Sequence, residues 1–196
     1  EAVRQAEITK RHDVHARAVA QAERDANEHN QQVSQFEAAF RAVDPDAIAT
    51  YFITVLKRGA YPEGFSQTSH IEFQPESKQL VVAYDLPECD EIVPTIKSVK
   101  YVKPSDSFTE SPRPDSQRRT IYADAVAQTT LRSLHEIFAS DAAEHVETVV
   151  FNGYVDTIDR GTGKPIRPCI ITVRTTREVF QYIDPAHVDL LICLKS

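Results

Sequence analysis

The spacing of hydrophobic positions changes along this chain, and each change marks an element. Residues 1–43 hold no proline or glycine and are rich in Ala, Gln, Glu and Arg, which predicts one long helix. Within it Val33, Phe36, Phe40 and Val43 recur at 3-4-3 spacing and predict a packing stripe. Further back only Val3, Val14, Val19, Ala22 and Ala26 continue the seam, so the first half reads as a coiled-coil arm or stalk. Asp44-Pro45 restarts a helix, with Asp44 as cap and proline at the first helical position, and Gly59 ends it. The period then shortens to two. Residues 69–73, 79–86 and 95–103 read as strands, and 75–78 as a turn. Residues 104–114, with three prolines, read as irregular. A helical period returns over 115–139, apolar on more than one side and therefore central to the packing.

Residues 146–158 and 166–175 predict a long β-hairpin closed by Asp159-Arg160-Gly161-Thr162-Gly163-Lys164-Pro165. Asn152-Gly153 in its first arm predicts a bulge or a close backbone approach. The return arm alternates Cys169, Ile171 and Val173 with Ile170, Thr172 and Arg174, which predicts cover on both faces. Short helices are expected over 177–183 and 185–194, the second capped by Asp184. The result is an α+β chain: a helical arm over 1–43, then a domain over 44–196 running helix, three strands, helix, β-hairpin around a mixed or antiparallel sheet.

Composition narrows the function classes. Apolar content of 41% and charged content of 26% are those of a soluble globular protein, with no apolar run long enough for a bilayer. Three widely spaced cysteines (Cys89, Cys169, Cys193) have neither disulfide-framework nor metal-site spacing, so a cytoplasmic home is expected. A net charge of −7 argues against an overall grip on nucleic acid and leaves room only for local basic patches. The chain lacks methionine, starts inside a helical pattern and stops just past an apolar run, so it reads as a piece of a longer protein.

The order αβββαβ is also that of a restriction-endonuclease-like core. Such a centre needs an Asp near the second strand and an acid two residues before a Lys on the third, to hold Mg²⁺ and position water. Asp85 stands at the right place, and Glu91 and Lys97 are the further candidates. No acid, however, precedes Lys97, Lys100 or Lys103 at that spacing. His70-Ile71-Glu72 and His135-Glu136 are too isolated for a metal site, His12 and His15 read as exposed helix positions, and the five glycines form no phosphate loop. Two sets of basic residues could contact phosphates without reading sequence: Lys97, Lys100 and Lys103 with Arg113, Arg118 and Arg119, and Arg160, Lys164, Arg167 and Arg174 on the hairpin.

Four stretches together carry a resemblance: YPEGF from Tyr61, ESKQLVVAYDLP from Glu76, VKYVK from Val99, and ETVVFNGYVDTIDRGTGKPIRPCIITVRTTREVF from Glu147. They resemble the region upstream of the nuclease domain in actinobacterial restriction-system proteins of the Mrr type. The resemblance implies a non-catalytic recognition, regulatory or oligomerisation module of a type IV restriction endonuclease acting in phage defence. It carries over no catalytic residue, metal ligand or cofactor. Mg²⁺ is expected for the parent nuclease, DNA is reached through the parent, and a homo-oligomer is expected through the N-terminal helix. The alternative is a divergent or degenerate nuclease core.

Overall fold

The computed structural model describes residues 2–62, 64–65, 68–184 and 187–194, with side chains for all of these except 2–10 and 12–14. The chain divides into two compact units, 1–47 and 48–196.

The first unit is dominated by α1 (Ala2–Arg41), a 40-residue helix in one piece. Its expected packing stripe is half open in the single chain: Val33 is 51% and Phe36 38% exposed, whereas Phe40 and Val43 are half-buried; Val19, further back, is exposed. His15 is exposed; the side chains of Val3, His12 and Val14 lie outside the described set. At the end of α1 the chain turns through Val43, which takes a left-handed conformation at φ 59°. Asp44 Oδ1 then accepts from the Ala47 amide at 2.9 Å, capping α2 (Pro45–Arg58) as its sequence predicts.

The second unit is built on a four-stranded mixed sheet with order β1-β2-β5-β8. Strand β1 (Ser69–Gln74) pairs antiparallel with β2 (Gln79–Leu86). The turn between them is a 3₁₀ segment, Pro75–Ser77, closed by Lys78 at φ 46°. Strand β2 then runs parallel to β5 (Thr148–Val155), a pairing that needs a crossover. That crossover contains α3 (Cys89–Ile92), β3 (Ile96–Val102), β4 (Ser107–Pro112) and α4 (Asp115–Ser140). Beyond β5 come the short pair β6 (Thr157–Ile158) and β7 (Pro165–Ile166), then β8 (Cys169–Thr176), which returns antiparallel along β5. Helices α5 (Arg177–Gln181) and α6 (Leu190–Cys193) close the chain.

The core follows strand alternation. Leu80, Val82, Tyr84 and Leu86 of β2 and Val149, Phe151 and Val155 of β5 are buried on one face, with Ile71 and Phe73 of β1. Ile48, Phe52 and Leu56 of α2 and Leu131, Leu134 and Ile137 of α4 are buried with them. Each such side chain contributes about 1.5–3 kcal/mol on leaving water. The other sheet face is half open.

Four expectations are corrected. The third strand does not join the sheet: β3 pairs only with β4, in the segment read as irregular. A second 3₁₀ turn, Lys103–Ser105 closed by Asp106 at φ 44°, makes that hairpin, so its prolines shape a turn and a strand end instead of preventing a strand. The return arm β8 is an edge strand, mostly exposed, and of the two hairpin arms only β5 is central. The last helix starts at Leu190 with Asp189 Oδ1 accepting from the Ile192 amide at 3.0 Å, in place of a start at Asp184; the expected first residue, Pro185, lies outside the described residues. Gly59 ends α2 through packing, with no left-handed turn: a Cβ there would lie 2.5 Å from Glu136 Oε2 and 2.8 Å from Tyr61 Cε2.

Candidate functional site

The carboxyl ends of parallel strands, where a crossover leaves the sheet, are the usual place for ligands in sheets of this kind. Here β2 and β5 end together, with Asp85 paired in register to Tyr154 and Leu86 to Val155. Asp85 points to the half-open sheet face because Tyr84 and Leu86 take the core side.

Across β5, the loop before β8 brings Arg167 onto this face. Its Nη2 donates to Asp85 Oδ1, its Nη1 lies 3.5 Å from Asp156 Oδ2, and its guanidinium sits over the Tyr154 ring at 5.4 Å from the centroid. Deeper along the same face Thr172 Oγ1 donates to Asn152 Oδ1 at 3.1 Å and lies 3.3 Å from the Cys169 thiol. The register shift opposite Gly153 and Tyr154, with Ile170 as the extra residue, tips this end of β8. Gly153 also fulfils the expected close approach: a Cβ would lie 2.5 Å from Leu86 Cδ1 and 2.6 Å from Ile171 Cγ2.

On the helix side of the same strand ends lies an open cleft of about 290 Å³, lined by Cys89, Tyr122, Val155, Arg160 and Ile170 among others. Tyr122 donates to the Pro87 carbonyl at 2.8 Å. Its hydroxyl is pushed up to about 12, first by burial and then by the charges of Cys89, Glu88 and Glu91.

The candidate nuclease residues are not brought together. Asp85 is engaged by Arg167. Glu91 Oε2 accepts from the Glu88 amide at 2.9 Å, half of a capping box that starts α3. Lys97 stands exposed on β3, outside the sheet. Among the described residues no group of three or more His, Cys, Asp or Glu could hold a metal ion. The two carboxylates at this strand end, Asp85 and the exposed Asp156, both face the Arg167 guanidinium.

The basic residues separate into two kinds. Arg118 is only 13% exposed; it donates to Asp90 Oδ1 and to the Val93 carbonyl and lies 4.0 Å from Asp115. Arg167 is committed as described. Arg113 Nε donates to the Pro94 carbonyl at 3.1 Å, at the base of the β3–β4 ribbon. Lys97, Lys100, Lys103, Arg119, Arg160, Lys164 and Arg174 are exposed. His70 lies 3.2 Å from Glu72 on an exposed strand face, and His135 is exposed.

Sequence reading missed the most buried ion pair among the described residues. Asp141, with no side-chain exposure, accepts from Arg177 and from the amides of His145 (3.1 Å) and Val146 (2.8 Å). Arg177 also donates to the Phe138 and Val146 carbonyls and lies over the Phe138 ring. This joins the end of α4, the start of β5 and the start of α5. No motif announces it, since the two residues are 36 positions apart.

No protein-family model, curated protein or solved structure matches the chain. None of the three cysteines forms a disulfide, and among the described residues no helix is long and apolar enough to cross a membrane.

Proposed function

We propose that this chain is a non-catalytic module of a Mrr-like restriction protein, assembling through its helical arm and serving recognition or regulation for a nuclease domain elsewhere. The observation that carries this reading is α1: a 40-residue helix with Val33 and Phe36 left open to solvent. A polar helix of this length is held by packing more than by propensity, and a second copy of the same helix across a two-fold axis supplies that packing. Such a dimer also suits a parent nuclease that has to cut two strands. The separate commitments of Asp85 and Glu91 and the placement of Lys97 on a ribbon outside the four-stranded sheet support the non-catalytic half, as does the resemblance of the stretch from Glu147 to proteins of that type. The alternative, a degenerate nuclease core, keeps Asp85 at a parallel strand end in its favour and lacks the third strand beside it. The test is the solution mass with and without residues 1–32. A dimer or higher oligomer that becomes monomeric on deletion is expected; two monomeric species at high concentration overturn the assembly claim.

A further inference from the structure

The β3–β4 ribbon stands in solvent on both faces: every residue of Ile96–Val102 and Ser107–Pro112 is exposed except the half-buried Val102. A two-stranded ribbon is marginal in water, so both what holds it and what it meets need an account. The register sorts its side chains. Val99–Glu110 and Tyr101–Phe108 share one face; Ser98–Ser111, Lys100–Thr109 and Val102–Ser107 share the other.

The first face holds the ribbon. The Tyr101 and Phe108 rings lie 5.5 Å apart, and Tyr101 Oη donates to Asp106 Oδ1 at 2.6 Å, tying the strand to the tip. The second face carries the hydroxyls of Ser98, Ser107, Thr109 and Ser111, one lysine, the half-buried Val102 and no carboxylate. Among the described residues the hydroxyls of Ser98, Thr109 and Ser111 have no protein partner. Lys97 sits at the register shift between Ile96 and Ser98, and Lys103 begins the turn. Over 96–113 there are four basic residues (Lys97, Lys100, Lys103, Arg113) against two acidic ones (Asp106, Glu110), in a chain of net charge −7. The ribbon is thus a locally basic projection from an acidic protein.

We propose that the hydroxyl-bearing face of this ribbon enters the major groove of duplex DNA. The groove, about 12 Å wide, admits a two-stranded ribbon. Small Ser and Thr side chains allow close approach and can donate to or accept from base edges, and Lys100 is a donor suited to guanine. Lys97, Lys103 and Arg113 flank that face and reach phosphates. The aromatic pair on the far side holds the two strands together. The choice of DNA deepens the module reading and rests on it; the choice of this ribbon and this face rests on register, exposure and charge.

The test uses the whole chain and fluorescence anisotropy with a labelled duplex of about 20 base pairs and its single strand. Three phosphate contacts predict duplex binding that weakens roughly fortyfold between about 50 and 200 mM salt. Lys100→Gln should weaken it about tenfold, and Thr109→Asp, which puts a carboxylate on the groove face, should abolish it. Gln181→Glu, the same charge change on α5, should leave it within about twofold. Equal weakening by Thr109→Asp and Gln181→Glu overturns the proposal, as do tighter binding of the single strand and binding of neither at low salt. Absence of duplex binding by the unsubstituted chain, with its oligomeric mass intact, removes the ribbon claim alone. A monomeric arm removes the assembly claim and leaves the ribbon result standing.

Discussion

Arg167 donates to Asp85 from beyond the neighbouring strand and places a cation on the carboxylate best positioned for metal chemistry. The guanidinium is 48% and the carboxylate 29% exposed, so solvent screens the pair and its worth is small. Arg167→Ala is expected to cost under about 1 kcal/mol in a urea titration. It frees Asp85 without creating a metal cage, so calorimetry of the variant should show no saturable Mg²⁺ binding. Saturable binding would show that Arg167 masks a working site.

Asp141 and Arg177 behave differently because the carboxylate has no exposure. Removing one partner of a buried pair leaves the other charge uncompensated, and Asp141 also holds the His145 and Val146 amides. Asp141→Ala should destabilise by about 3–5 kcal/mol. The double variant with Arg177→Ala should cost less than the sum of the two singles. Additive costs would mean that the two residues act independently.

Gly153 and Gly161 offer a paired test of close approach. A Cβ at Gly153 collides with Leu86 and Ile171, whereas the nearest atom to one at Gly161 is Asp159 Oδ1 at 3.6 Å. Gly153→Ala is expected to cost about 1–3 kcal/mol and Gly161→Ala within about 0.5 kcal/mol, read from denaturant midpoints. Equal effects would remove packing as the reason for Gly153.

The elements that local pattern dictates were legible in the chain: α1, the Asp44 cap, β1, β2, α4 and the β5–β8 pairing. The β3–β4 ribbon was half legible. Pro75-Glu76-Ser77-Lys78 reads as a turn between strands, and Lys103-Pro104-Ser105-Asp106 builds the same 3₁₀ turn with a left-handed closing residue. The second was obscured by Pro112 and Pro114, which sit at and after the strand end where no ladder bond is lost. The exposure of β8 was not legible, because Ile170, Ile171 and Val173 look the same on an edge as in the centre. The partnerships of Asp85 with Arg167 and Asp141 with Arg177 span 82 and 36 positions and depend on the crossover, which composition does not encode.

Tyrosine titration reports the packed end of the second unit. Burial raises Tyr61, Tyr84 and Tyr122 above the ordinary value near 10, Tyr122 to about 12. These phenols are neutral in both folded and unfolded chains below pH 10, so their contribution is fully present there. Above it the unfolded chain loses protons that the folded chain keeps, so stability falls from about pH 10 to about 12. Absorbance at alkaline pH should show delayed phenolate formation in the native protein, and Tyr122→Phe should shrink the loss of stability over that window. A Tyr122→Phe variant with the same alkaline profile would contradict the assignment.

The central claim is that these residues recognise or assemble and do not cut. Incubation with modified and unmodified plasmid DNA in Mg²⁺ or Mn²⁺, followed by gel electrophoresis, tests it most directly. The expected result is intact supercoiled plasmid at all times. Metal-dependent cleavage that disappears in Asp85→Ala would contradict it and make the carboxyl end of β2 an active site.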